Sequence, residues 1–282
     1  MDFLFELPVT VVVLFLGASV GSFLNVVVYR LPAGLSLLHP PSRCPKCLSR
    51  LRKRENVPVL GWFWLRGRCA HCGNPISVRY PLVEGVTGIL FVLTFWLFGW
   101  SWQTIGYWFF LSWLLVLSLI DLDTMTLPNP LTQSGLIAGV VFQVVLGFST
   151  TATLAGAIAQ LMHGVVGVVL GLWLVDLISL VGSVALGQTA MGGGDAKLAA
   201  MMGAWLGWKF LLLAGFLACA VGAFVGGGAI ALGLLKRRQP MPFGPFLALG
   251  ALLAVFWGDA IIATYMSIFF PLAYAGWKVS GM

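Results

Sequence analysis

The chain has 282 residues, 60% of them hydrophobic and 9% charged. A soluble domain carries about a quarter charged residues, so 16 basic and 9 acidic side chains cannot cover a globule of this size. Disorder is excluded because it needs low hydrophobicity, and an outer-membrane barrel because the apolar stretches are continuous rather than alternating. What remains is an all-α, polytopic helical membrane protein.

The N-terminus carries Asp2 and Glu6, where a cleavable signal peptide wants positive charge. Span one, about 8–29, is therefore expected to be retained. Ten of the 16 basic residues lie between Arg30 and Arg79, and a second cluster is Lys236, Arg237 and Arg238. The positive-inside rule places both clusters in the cytoplasm. Topology and anionic lipid account for such charge beside a membrane, so no nucleic-acid partner is expected. Residues 31–81 form a polar loop with four Cys and the Pro40-Pro41 pair. Span two runs over about 82–98, and Trp100 and Trp102 bracket an outer turn as interfacial aromatics do. Span three, about 104–120, returns inside, and Pro128 and Pro130 break the chain after it. Span four covers about 131–148 and span five about 153–186.

A glycine-rich cytoplasmic segment then leads to Asp195. Two crossings must follow to bring Lys236 back inside. The first, 196–206, is short for ~30 Å of hydrocarbon; the second, 210–235, is ample. Trp205 and Trp208 are expected to flank a turn near Lys209. A last apolar stretch, 243–277, is interrupted by Gly258 and Asp259. The count is about eight transmembrane helices. The organisation is a first transmembrane helix (1–30), a small cytoplasmic loop domain (31–81) and a transmembrane core (82–282).

Four of the five cysteines form two pairs, Cys44/Cys47 and Cys69/Cys72, each with a two-residue spacer. That spacer lets both thiolates of a pair reach one tetrahedral ion, and two such pairs approach the tetrathiolate zinc pattern. Lys46 and Arg68 favour the thiolate form. Disulfides are disfavoured in a loop on the reducing side of a membrane, and a redox motif usually needs one pair. The expectation is a structural Zn2+ knuckle with no vacant position. Cys219 lies in a span and reads as a small packing residue.

With 9 acidic residues in the chain, each one in an apolar stretch is informative. Asp121 sits at the inner end of span three and Asp195 at the inner end of span six, at one cytoplasmic depth. Two carboxylates so placed can share one water. The plainer readings are an N-cap for Asp195 and interfacial polar residues for Asp121 and Asp123. Asp176 is a third acid or a packed acceptor. Asp259 has no evident role. Glu84 opens span two, where a negative charge suits a helix N-terminus.

Taken in order, these motifs resemble the type IV prepilin peptidase family, the leader peptidase/N-methyltransferases. The stretch 17–32 is similar to the family's opening helix and the two Cys pairs to its cytoplasmic knuckle. Arg66 to Cys69 and Pro75 to Glu84 continue the pattern. Asp121 followed by Leu127, Pro128 and Asn129 fits the first aspartate signature. Gly192, Gly193, Gly194 and Asp195, with Lys197, fit the GxGD signature of intramembrane aspartyl proteases. Pro242 to Phe246 fits a later family segment.

The resemblance implies Asp121 and Asp195 as catalytic residues, with Asp123 close by on the substrate side. It implies a substrate with a short basic leader, a Gly at the cut and a long apolar helix: a type IV prepilin or a secretion pseudopilin. It places the enzyme in the bacterial cytoplasmic (inner) membrane with active site and loop facing the cytoplasm. It also implies methylation of the new N-terminus with S-adenosylmethionine, for which the sequence shows no nucleotide signature and names no residue. The glycines before Asp195 offer no side chain to a passing backbone, so Gly192 and Gly194 are expected on the substrate side. Rival readings are a peptidase without methyl transfer, a proton-coupled transporter, and a scaffold with a zinc-stabilised docking loop.

Overall fold

The computed structural model describes residues 3–186, 192–234, 236 and 241–271. Arg237, Arg238 and the end of the last apolar stretch lie outside the described residues. Seven helices are long and apolar enough to cross a membrane, and the described residues include no strand. The chain divides into two compact units, 1–128 and 129–282.

The first unit holds α1 (Phe3–Arg30), a 3-10 turn (Lys53–Asn56), the short α2 (Leu60–Trp64), α3 (Arg79–Phe98) and α4 (Trp102–Thr124). Helices α1 and α3 pack backbone to backbone because α1 presents glycine at the contact. A Cβ on Gly17 would meet Phe91 and the Gly88 backbone at 2.8–2.9 Å, and one on Gly21 would meet Glu84 Cα at 2.8 Å. Phe91 stacks on Trp108 of α4 at 4.9 Å, and the Trp108 indole N–H donates to the Phe91 carbonyl at 2.9 Å. That bond satisfies the polar tip of an otherwise apolar ring. Gly99 at φ 59 stops α3, and Ser101 caps α4 by accepting from the Thr104 N–H at 3.1 Å. Helix α4 ends on Met125 in the left-handed conformation.

The second unit holds α5 (Asn129–Thr151), α6 (Leu154–Leu186), α7 (Gly193–Ala231) and α8 (Gly244–Phe269). On α6, Gly164, Gly167 and Gly171 form a ridge of the small-residue kind that lets membrane helices touch. Gly167 meets Gly203 of α7, and Gly171 meets the Ala199 carbonyl, so the two run antiparallel. Farther along α7, Gly250 of α8 lies on Ala214 and Gly258 on Phe210.

The expected sixth and seventh spans are one 39-residue element, α7, broken internally at Gly207 (φ 70, ψ 175). That conformation is essentially reserved for glycine. Seven candidate spans are counted among the described residues with α7 taken once; its two helices, 193–206 and 208–231, correspond to the expected sixth and seventh spans and meet two residues before the expected turn. With Trp208, Trp205 flanks the break as expected. It is buried, stacks on Phe142 at 5.0 Å and donates its indole N–H to the Gly135 carbonyl at 2.8 Å. Gln143 in turn donates to the Trp205 carbonyl at 3.2 Å. Three contacts on α5 thus fix α7 just ahead of its break. Cys219 is exposed rather than packed.

Candidate functional site

The cysteine loop consists of two copies of one turn. In the first, the Cys44 N–H donates to the Ser49 carbonyl and the Leu48 N–H to the Cys44 carbonyl, both at 3.0 Å. In the second, the Cys69 N–H donates to the Asn74 carbonyl and the Gly73 N–H to the Cys69 carbonyl, both at 2.9 Å. An antiparallel bridge closes each turn, Arg43 to Arg50 and Arg68 to Pro75. The residue after each second cysteine has positive φ, Leu48 at 57° and Gly73 at 69°. Backbone N–H groups bend toward the sulfurs in this way, and the strained Leu48 shows how strongly the geometry is imposed.

The four sulfurs lie within 4.8 Å of one another, with Cys44 to Cys72 at 3.8 Å and Cys47 to Cys69 at 3.9 Å. A tetrahedral ion bound at about 2.3 Å per sulfur sets its ligands about 3.8 Å apart. The donor set therefore fits zinc in distance, number and softness. The Ser49 hydroxyl, 2.7 Å from Cys47, and then the Ser49 backbone lower the Cys47 thiol to about 6, toward the thiolate a metal needs. All four positions of the tetrahedron are taken by cysteine, so the knuckle has structure to give and no open coordination site.

Glu84 ties this loop to the helices. Its carboxylate is 9% exposed and accepts the Val59 N–H at 2.6 Å. Val59 is the positive-φ residue (62°) that starts α2. Glu84 stands beyond the first turn of α3, so its role is this tether and not the helix dipole.

Asp121 lies in the last turn of α4 and is 5% exposed. Asp195 lies in the first turn of α7, behind the N-cap Gly192, and is 9% exposed. The two carboxylates belong to different compact units. Two buried acids in helices this apolar are expensive, which is the mark of function over stability. Asp195 gains from the α7 N-terminus, whose free N–H groups favour negative charge. Gly192 sits at φ −78, a conformation any residue adopts, and a Cβ there or on Gly193 would meet no described atom closer than 4.0 Å. Neither glycine is required by its own backbone or its described neighbours. Lys197, exposed on α7, donates to the Asn129 side-chain oxygen at the start of α5 at 2.7 Å.

Asp123 pairs with Arg79 at 2.7 Å, and the Arg79 guanidinium also donates to the Leu119 carbonyl at 3.3 Å. Asp176 and Asp259 are exposed and have no partner among the described residues. The sequence reading gave no role to Arg79 or Lys197. Their one signal was position, as lone cations at the edges of apolar stretches.

Seven apolar helices, two buried carboxylates and a four-thiol cluster define a multi-pass membrane protein with a metal-ready knuckle. Residues 15–98 match the bacterial peptidase A24 N-terminal domain, and residues 108–227 match the type IV leader peptidase family. Over most of its length the chain is similar to proteins named prepilin leader peptidase/N-methyltransferase. The one from Aeromonas hydrophila is 38% identical, with 89% of this chain and 91% of that protein covered. The Stutzerimonas stutzeri protein is 37% identical over 94% of this chain and 97% of its own. The Pseudomonas aeruginosa protein is 37% identical over 99% of both. No solved structure matches the chain. The chain belongs to the type IV leader peptidase family.

Proposed function

We propose that this protein cuts the basic leader from type IV prepilins, and from pseudopilins of the same build, and methylates the new N-terminus. The observation that carries the reading is that Asp121 and Asp195 are both buried within the stretch that matches the type IV leader peptidase family. Two nearby carboxylates resist full ionisation and hold one proton between them. The ionised member takes a proton from water as that water attacks the carbonyl carbon of the leader glycine. The protonated member donates a hydrogen bond to the carbonyl oxygen and later protonates the leaving amine. The pair titrates as a unit, so neither residue is assigned acid or base alone. Gly192 and Gly194, with no side chain to clear, leave room for the substrate backbone beside Asp195. Asp123, drawn off by Arg79, takes no part in the proton transfer.

The domain reading follows: a first membrane helix over 1–30, a zinc knuckle over 31–81 held by Cys44, Cys47, Cys69 and Cys72, and a peptidase core over 82–282. Zn2+ is structural. The basic loop rests on anionic lipid at the cytoplasmic face of the bacterial inner membrane. When bound, S-adenosylmethionine supplies an electrophilic methyl group; the chain must hold the donor and present the freed amine in neutral form.

Cleavage of a purified prepilin in liposomes, read by intact mass, tests the proposal. Wild type should cut after the leader glycine, and Asp121→Asn and Asp195→Asn should not. A further mass gain of one methyl on adding S-adenosylmethionine would establish the second activity. Cleavage by either variant at the wild-type rate would remove that residue from the mechanism.

A further inference from the structure

A half-open cavity of about 210 Å³ lies where the end of α1, the start of α3 and the end of α4 meet. Asn25, Tyr29, Ser77, Arg79, Tyr80 and Asp123 contribute to its wall, and all belong to the first unit. The Arg79–Asp123 ion pair lines it with side chains 40% and 41% exposed. An ion pair this open contributes little to stability. It also leaves much of its bonding capacity unused. Asp123 spends only Oδ1 on Arg79, and the guanidinium spends one N–H on Asp123 and one on the Leu119 carbonyl. Among the described residues, Asp123 Oδ2 and the Tyr29 and Tyr80 hydroxyls have no partner. Asn25 is turned into place by donating to the Tyr80 carbonyl at 3.2 Å, which keeps its side-chain oxygen available as an acceptor.

A cation and an anion side by side on a cavity wall form the complement of a zwitterion. Arg79 offers a planar fork for a carboxylate, and Asp123 offers an acceptor for an ammonium. Two tyrosine rings add faces suited to a cationic centre. The volume is below the roughly 300–1,000 Å³ that encloses a drug-sized ligand, so the cavity takes one end of a molecule and leaves the rest in its mouth. Residues two apart on a helix do not face each other. Asp123 therefore looks away from Asp121, which does not line the cavity.

We propose that this cavity holds the amino-acid end of S-adenosylmethionine, its carboxylate on Arg79 and its ammonium on Asp123, with the nucleoside toward the mouth. The inference rests on the methyl-transfer reading above. It supplies the donor site that the sequence does not mark, at a place where an amine freed near Asp121 has only a short way to travel. Arg79 and Asp123 touch the cofactor, and Asn25, held by the Tyr80 carbonyl, is set beside them.

The test is binding of S-adenosylhomocysteine to the full-length, zinc-loaded protein in nanodiscs, by calorimetry, with adenosine as a ligand lacking the amino-acid end. Asp123→Asn and Arg79→Gln should each weaken S-adenosylhomocysteine by at least about tenfold and leave adenosine unchanged. The exchange variant Arg79→Asp/Asp123→Arg restores an ion pair. It should restore the melting temperature if either single variant lowers it, and should not restore binding. Wild-type affinity in both single variants would overturn the assignment and leave the cavity to the other zwitterion at a membrane face, a phosphatidylethanolamine headgroup. Equal loss of adenosine and S-adenosylhomocysteine would also overturn it, since the residues would then act through the fold. Failure of the wild type to bind S-adenosylhomocysteine at all would strike the methyl-transfer reading itself, a result distinct from either.

Discussion

Residues 31–78 and residues 193–231 both hold functional side chains in fixed geometry, and they do so by opposite means. The loop has almost no core: of its four cysteines two are buried and two exposed, and its order comes from two closed turns converging on one point. The first half of α7 is nearly all core. Every residue from Ala196 to Gly207 except Lys197 is buried, and Gly203 approaches Gly167 so closely that neither could carry a Cβ in place. The loop is built around four converging thiols and the helix around missing side chains. A short polar segment that cannot bury enough apolar surface must find its cohesion in a bond. A membrane helix, surrounded by lipid as apolar as itself, finds it in close van der Waals contact.

The largest break in this comparison is removal of the metal. Structural zinc is worth about 10–16 kcal/mol in small finger peptides, so Cys44→Ala or exhaustive chelation should open the loop. Trypsin is expected to cut at Arg43, Arg50 or Arg66 in the stripped protein and not in the zinc-loaded one. Circular dichroism of the membrane helices should hardly change. Protection of the loop without metal would show that it has a core after all.

Next is the aspartate pair. Asn in place of Asp121 or Asp195 should slow cleavage by about 10²–10⁴-fold while zinc content, measured by plasma mass spectrometry, stays at one per chain. That result would show that the packed helices carry the cut independently of the loop's metal.

Gly203→Val addresses the packing. Its side chain would run into the Gly167 backbone, and overpacking of this kind costs about 1–3 kcal/mol. The melting temperature of the membrane core should fall with the loop still zinc-loaded and protease-resistant. An unchanged melting temperature would mean that α6 and α7 can separate freely.

The smallest effect belongs to the tether joining loop and helix. Glu84→Ala leaves the Val59 N–H without its acceptor, at about 1–3 kcal/mol, and Glu84→Gln, which keeps an oxygen there, should cost less. Hydrogen exchange at Val59 reads this directly. Faster exchange in the alanine variant and near-wild-type exchange in the glutamine variant is the expected order.

Much of this was legible in the residues. The helix limits follow the apolar runs to within a few positions, and the cysteine spacing implied one site before any coordinates. The exact place of the break in α7 was not legible, for a physical reason. Gly203 packs against a neighbour and Gly207 breaks a helix, yet both are glycines in an alanine- and glycine-rich stretch, four residues apart. Composition does not distinguish a glycine needed for space from one needed for φ. Trp205 and Trp208 flank the Gly207 break, but the burial of Trp205 was not legible, since an indole suits a membrane interface and a buried carbonyl equally. The polar links were illegible because they join distant positions. Arg79 and Asp123 are 44 residues apart, Lys197 and Asn129 are 68, and Glu84 and Val59 are 25. A charge at the end of an apolar run announces the membrane face and not its partner.

The turns of the cysteine loop also bear on how the protein is made. Their bonds join residues at most 28 positions apart, as in the Cys44–Cys72 contact, and local contacts form early during synthesis. The knuckle can therefore fold before α3 is complete. The tether from Glu84 must wait for α3, and the second unit for the rest of the chain. The first two long helices, α1 and α3, are thus joined with an already ordered loop between them.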